Sequence, residues 1–228
     1  MTADTHPAQT ESSESFGIPP TSIVQEMARQ LDTWRTMLPE ALQWNDGQAH
    51  ELHKHASFNG VEPMEQLTDA VARTRQDYDK EILISQLRTR YYCAHFLLYR
   101  PFLFKAIHFP EHMQSTDTDC CELAIQSVCR WPIAAAPMRD NKRLVPHMFS
   151  WTQNFLSVLL VLRMTREDSG LRQICEERIG QDVVNATVAM LLDWLEDVKR
   201  LDGIAEWSSR AIKPLFADEE WARVETQQ

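Results

Sequence analysis

Glycine is scarce in this chain, with six among 228 residues, and β-branched residues rarely alternate with polar ones. Both shortages count against strands and tight turns and favour an all-α fold. Long apolar runs are missing too. The longest candidate, Phe155 to Leu162, is interrupted by Ser157 and falls far short of the roughly 18 residues a membrane span needs, so no membrane partner is expected. The opening MTADTHPAQTESSES lacks the basic and apolar regions of a secretory signal, which points to an intracellular protein, nuclear or cytoplasmic. Basic residues are outnumbered: the formal charge is −10, which argues against nucleic-acid binding by this chain.

The motifs that would announce common chemistries are also lacking. Five cysteines, Cys93, Cys120, Cys121, Cys129 and Cys175, are odd in number and include no C-x-x-C pair. Reduced, buried thiols are therefore expected instead of a disulfide framework or structural zinc. No Gly-rich phosphate loop, G-x-S-x-G, H-E-x-x-H or Cys-His pairing of known spacing occurs, so hydrolase, kinase and zinc-protease chemistries have no support. His50, His53 and His55 invite a metal, since imidazole is a common ligand. On a helix His50 and His53 would share a face, but His55 would point elsewhere and no partnering carboxylate is fixed, so a solvated polar loop is the expectation. No metal and no cofactor is expected.

What is present is helical periodicity. Residues 1–19, rich in Thr, Ser, Glu and Pro, read as a disordered leader, residues 20–217 as one helical domain, and residues 218–228 as a polar tail. Thr21 or Ser22, with Gln25, offers a helix cap. Ile23, Met27, Leu31, Trp34 and Leu38 then form one apolar face that closes at Pro39, with Trp44 on a short return. A weaker helical pattern, Val61 to Gln76, leads into the stretch that organises the chain, Asp79 to Phe104. There Leu83, Leu87, Tyr91, Ala94 and Leu98 make an apolar stripe, and Arg88, Tyr92, His95 and Tyr99 share a nearly opposite face with Phe96 beside it. Arg100-Pro101 is expected to end this helix, because proline lacks an N–H and disfavours helical geometry before it.

A cysteine- and alanine-bearing helix follows, capped from Thr116 to Asp119 and interrupted at Trp131-Pro132. RDNKR, the one compact basic run, reads as a solvated turn. Pro146 opens a second strongly apolar helix reaching about Arg166, with Met148, Trp151, Phe155, Val158 and Leu162 on one face and Phe149, Leu156 and Leu160 on another. The architecture expected is a single irregular multi-helix domain with two largely buried central helices. Gln153 and Asn154 lie among apolar neighbours and would need partners if buried, for which the polar face of the organising helix is the candidate. Leu171 to Leu201 is helical with an interruption at Gly180. Its apolar face is Val183, Thr187, Met190, Leu191, Trp194 and Val198, and a last helix carries Trp207 and Ile212.

Several separated strings agree with one family. LDTWRTMLPEALQW (Leu31 to Trp44), LRTRYYCAHFLLYRPFL (Leu87 to Leu103), TDTDCCELAIQS, VPHMFSWTQNFLSVLLVL and MLLDWLEDVKRLDGIAEWSSRAIKPL resemble segments of the fungal-specific regulatory domain found downstream of binuclear zinc-cluster DNA-binding modules. The Arg-Tyr-Tyr start and Arg-Pro-Phe-Leu end of the second string are its most specific part, and the similarity covers Thr21 to Leu215. The resemblance implies an all-α regulatory domain, matched in its C-terminal half and starting at its own Met1. The family's six-cysteine DNA reader and basic linker have no counterpart in this sequence.

Three functions follow as expectations. The first is a stand-alone or truncated regulator-like domain that binds an apolar small molecule or a regulator protein, tied to a secondary metabolic pathway. The second is a domain of this type reused as a biosynthetic enzyme or metabolite-binding protein. In such an enzyme His95 would be the acid or base, Tyr92 and Tyr99 donors, and Arg88 the anion stabiliser. The third is a protein-protein adaptor or dominant-negative form with no ligand, which uses an exposed apolar strip to bind a full-length relative. A homodimer is a separate expectation among the partners. A ligand would contact Arg88, Tyr92, His95, Phe96, Tyr99, His147, Trp151 and Gln153. The plain alternative for the polar residues among these is a satisfied buried hydrogen-bond network.

Overall fold

The computed structural model describes residues 17–46, 69–140, 148–199 and 203–217. Among these residues there are seven α-helices and no strand, so the chain is all-α. The helices are α1 (Thr21–Thr36), α2 (Asp69–His108), α3 (Ser115–Asp140), α4 (Met148–Glu167), α5 (Ser169–Ile174), α6 (Gln181–Val198) and α7 (Gly203–Ile212). Single 3-10 turns follow α1 (Glu40–Leu42), α2 (Pro110–His112) and α7 (Lys213–Phe216), and the π turn Cys175–Ile179 continues α5. The leader up to residue 16, the histidine-bearing stretch from 47 to 68 and the tail from 218 lie outside the described residues, whereas Ile18 packs against the core.

The spine of the fold is an antiparallel hairpin of α2 and α3, which share the most extensive helix-helix contact among the described residues. The residues joining them, Phe109 to Gln114, are too few for any other arrangement. Polar bonds fix the register at both ends. Near one end the Ser85 hydroxyl donates to the Ala134 carbonyl, and near the other Lys105 meets Asp117 at 2.6 Å. Asp117 also accepts from the Gln114 backbone N–H at 2.9 Å, capping α3. Between these ends α3 is nearly all core, through Cys120, Cys121, Ala124, Ile125, Val128, Cys129, Trp131 and Ala134.

Two expected helix breaks do not occur. Pro101 lies inside α2. Its missing N–H releases the Leu97 carbonyl, on a residue whose own side chain is 57% exposed, so solvent can take over that acceptor. Just beyond, Phe102, Leu103 and Ala106 are buried against neighbouring elements. Each large apolar side chain so buried contributes about 1.5–3 kcal/mol, which outweighs the roughly 3 kcal/mol a helix proline costs. α3 likewise runs through Trp131-Pro132, with Trp131 and Ala134 in the core on either side of the proline.

The faces of α2 are also the reverse of what hydrophobicity suggests. Ser85, Arg88, Tyr92, Tyr99, Phe102 and Ala106 are buried, while Leu83 is exposed and Leu87, Ala94 and Leu98 are half-buried. Buried positions therefore follow the supposedly polar stripe. Tyr91, counted with the apolar stripe, is buried as well.

α1 corrects two further expectations. Its N-cap is Pro20 and no side chain bonds the first turn, so Thr21, Ser22 and Gln25 form no capping box. Its fully buried residues are Val24 and Ala28, whereas Ile23, Met27 and Trp34 are exposed and Leu31 and Leu38 half-buried. The buried face is thus rotated about a quarter turn from the sequence-derived one.

α4 to α7 form the other half of the domain, with α4 packed on α5, α6 and α7. Phe155 makes edge-on contacts with Trp131 of α3 (5.9 Å) and Trp194 of α6 (5.6 Å), joining the two halves through one aromatic chain. Of the second apolar face expected for α4, Leu156 is half-buried against the core, Leu160 is exposed, and the side chain of Phe149 lies outside the described residues. In α6, Thr187, Leu191 and Trp194 are buried as expected, joined by Val184, Val188 and Leu195 in place of Val183, Met190 and Val198. In α7, Ile212 is buried and Trp207 is exposed. The break at Gly180 holds: its N–H bonds the Cys175 carbonyl at 2.9 Å and its φ of 97° reverses the chain into α6.

Candidate functional site

The sequence-derived candidates on α2 meet α1 and the 3-10 turn after it. Consecutive residues on a helix diverge by about 100°, so Tyr91 and Tyr92 reach two different acceptors. The Tyr91 hydroxyl donates to Asp32 Oδ1 of α1 at 2.5 Å, and the Tyr92 hydroxyl donates to Asp46 Oδ1. Arg35, one turn after Asp32, completes the clasp. Its Nη1 donates to Asp46 Oδ2 at 2.8 Å and its Nη2 to the Trp44 carbonyl at 3.0 Å. Its guanidinium also lies over Trp44 (4.7 Å) and Tyr91 (5.2 Å), a doubly stacked cation of the kind worth about 0.5–2 kcal/mol per ring.

His95 lies one turn beyond Tyr91, with ring centroids 4.5 Å apart, and its Nε2 is 3.2 Å from Asp32 Oδ1. That approach has the distance of an ion pair and lacks the alignment of a hydrogen bond. Tyr99 continues the stack at 6.0 Å from His95 and is buried in the core.

Burial and charge set the protonation states. Burial pulls the His95 pKa below its ordinary 6.5 against the opposing pull of Asp32, so the ring is neutral at pH 7. Burial pushes Tyr92 up to about 12, reinforced by its bond to Asp46, and Tyr91 rises for the same two reasons with Asp32. Both phenols stay protonated and act as donors. Burial would raise Asp46, but the bonds from Tyr92 and Arg35 outweigh it, so its carboxyl titrates below the usual range and is ionised.

Three buried nitrogens have no hydrogen-bond partner in this corner among the described residues: Trp44 Nε1, Arg88 Nε and His95 Nε2. Arg88 is 8% exposed and lies one turn before Tyr92, on which its charge acts. Arg130 of α3 adds its field to Asp46, Tyr92 and His95. The corner thus gathers three arginines and two aspartates in a protein of strongly negative charge.

Of the eight residues expected to contact a ligand, the structure brings together Arg88, Tyr92, His95 and Tyr99 on α2, with Phe96 half-buried beside them. Gln153 does not join them. It is exposed on α4, as is Asn154, so neither amide needs a buried partner. α4 packs chiefly on α5 to α7. His147 lies outside the described residues, as do His50, His53 and His55, and the same holds for the side chain of Trp151. Asp32, Arg35, Trp44 and Asp46, which complete the corner, were not singled out from the sequence. Trp44 and its return after Pro39 were the one signal, since that return brings Asp46 to α2.

Elsewhere a shallow depression of about 520 Å³ is lined by Lys199, Glu206, Ser209, Arg210 and Lys213. Its cations are paired, Arg210 with Glu206 and both lysines with Glu196. Among the described residues no group of three or more His, Cys, Asp or Glu side chains could hold a metal ion, and no helix is long and apolar enough to cross a membrane. No protein-family model, curated protein or solved structure matches the chain.

Proposed function

We propose that this chain is a regulatory domain of the fungal transcription-regulator type, which binds a small molecule or a partner protein in the control of a metabolic pathway and does not itself contact DNA. The supporting observation is the clasp between α1 and α2. Tyr91, Tyr92 and Arg35 are committed to Asp32 and Asp46, so two adjacent tyrosines of the organising helix tie a peripheral helix to the spine. Groups spent on tying two elements together suit a domain whose output is a change in how α1 is held. Deleting the gene should alter transcripts of a pathway's genes, with metabolite changes following. Unchanged transcripts beside an altered metabolite would sink the regulatory function.

One observation favours an enzyme as the second function: neutral His95 lies 3.2 Å from the Asp32 carboxylate with its Nε2 unbonded, which leaves that nitrogen available for proton transfer. In that case His95 is the acid or base and Arg88 the anion stabiliser of a cyclisation or isomerisation. Purified protein should then convert a pathway intermediate, and His95→Ala should abolish conversion while leaving the helical circular dichroism intact. Conversion that survives His95→Ala excludes this role.

A further inference from the structure

Two of the unsatisfied groups of the α1–α2 corner can only donate. Trp44 Nε1 and Arg88 Nε are donors that cannot accept, and His95 Nε2 adds a third nitrogen. The acceptors tell the opposite story. Asp46 already takes bonds from Tyr92 and Arg35, and Asp32 takes one from Tyr91. A buried donor without a partner costs about 1–3 kcal/mol, more when it is charged. Two internal carboxylates are thus held by a donor set larger than they satisfy.

Arg88 makes this more than a surface accident. The residue is 8% exposed, with its Nε fully buried, and lies one helical turn from Tyr92. Arg35 and Arg130 reinforce the positive field there, and the Trp44 and Tyr91 rings, 5.6 Å apart and edge-on, already stack one planar group, the Arg35 guanidinium. Meanwhile the aspartates reach towards water: the side chains of Asp46 and Asp32 are 28% and 59% exposed.

We infer that this corner is a binding site for a carboxylate on a planar aromatic body, and that such a ligand enters by replacing Asp46 on Tyr92 and Arg35. The inference rests on the small-molecule-binding function proposed above and names the ligand class. Exchanging one carboxylate for another leaves the bonds to Tyr92 and Arg35 intact in number. The incoming ligand is not tethered to the chain, so it can also meet Arg88 Nε and Trp44 Nε1, which Asp46 leaves unpaired. Release of Asp46 loosens the return after Pro39 and with it the hold on α1, so occupancy is coupled to the position of that helix.

The model has an unusual sign. Removing a residue from the site should tighten binding, because Asp46 competes with the ligand for the same donors. The probes are 2-naphthoate and its neutral methyl ester, titrated calorimetrically into the full chain. Asp46→Asn and Asp46→Ala are each expected to bind 2-naphthoate about tenfold more tightly than the unmodified protein, which corresponds to about 1.4 kcal/mol. The ester should bind at least tenfold more weakly than the acid. Arg88→Met, which keeps the length of the side chain, should remove most of the preference for the acid, and Trp44→Phe should weaken it while keeping the ring. Circular dichroism of each variant guards against loss of fold, and the isosteric Asp46→Asn keeps the test open if Asp46→Ala unfolds. If acid and ester bind alike and Arg88→Met changes neither, the carboxylate class is overturned and small-molecule binding stands. If both Asp46 variants keep their helicity and bind 2-naphthoate no better than the unmodified chain, exchange is overturned. The transcript experiment then decides the regulatory function separately.

Discussion

Tyr92 carries the most buried polar handle of the clasp, a phenol 2% exposed that donates to Asp46. Tyr92→Phe keeps the ring and removes the donor, while Asp46 retains Arg35. A bond to an ionised partner contributes about 1.5–3 kcal/mol net, so urea titration should show a loss of about 1–2 kcal/mol once the remaining partner is counted. Combined with Asp46→Asn, the loss should fall short of the sum of the two single losses, since both remove one bond. His95 gives a pH signature. Its folded pKa lies below the ordinary 6.5, so as pH falls the unfolded chain takes up this proton first. The stability it supports is complete above about pH 6.5 and is lost as pH drops from there through the folded value. His95→Gln should therefore lose less melting temperature than the unmodified chain between about pH 7.5 and 5.5. Parallel declines would assign the effect to other histidines.

At the scale of elements, two connections hold the fold's geometry. Gly180 has a φ of 97°, and an added Cβ would approach Asp182 Oδ1 to 2.7 Å. Gly180→Ala should destabilise the domain by about 1–3 kcal/mol, seen as a lower melting temperature with the helical spectrum retained. At the closed end of the α2–α3 hairpin, Lys105 and Asp117 are largely buried together. Lys105→Met strands the carboxylate and should cost about 3–5 kcal/mol, while adding Asp117→Asn should recover part of that in the same denaturation assay. The sequence displayed which segments are helical, because apolar periodicity and low glycine content are local properties. It did not display which way each helix turns. Ile23, Met27 and Trp34 are the larger apolar residues of α1, yet Val24 and Ala28 are the ones buried, because the side of a helix that meets its neighbours is set by tertiary packing and not by its own periodicity. Pro101 and Pro132 carry a local rule that packing around Phe102 and Trp131 overrides. On the α2 side of the corner, Arg88, Tyr92 and His95 were legible from their i, i+4, i+7 spacing, whereas Tyr91 counted with the apolar stripe. Asp32 and Asp46 were not, because a lone aspartate on a surface pattern looks like any solvated carboxylate until the chain folds back.

Across the whole molecule, support is unevenly distributed. α3 contributes a nearly continuous run of core side chains, whereas α1 is held by Val24, Ala28 and the polar clasp. Amide hydrogen exchange should accordingly be faster along Thr21–Thr36 than along the middle of α3, and Tyr92→Phe should speed it further in α1 alone. Uniform protection of both helices would contradict a weakly held α1. The α2–α3 hairpin has a further consequence for the order of events when the chain folds. Its two helices are joined by the short link Phe109 to Gln114, so most of their mutual contacts near that link close small loops and cost little chain entropy. The hairpin should form the nucleus on which the remaining helices condense, and α1 should dock after the rate-limiting barrier. Truncating Ile125 in α3 would then slow refolding, while truncating Val24 in α1 would leave refolding unchanged and accelerate unfolding.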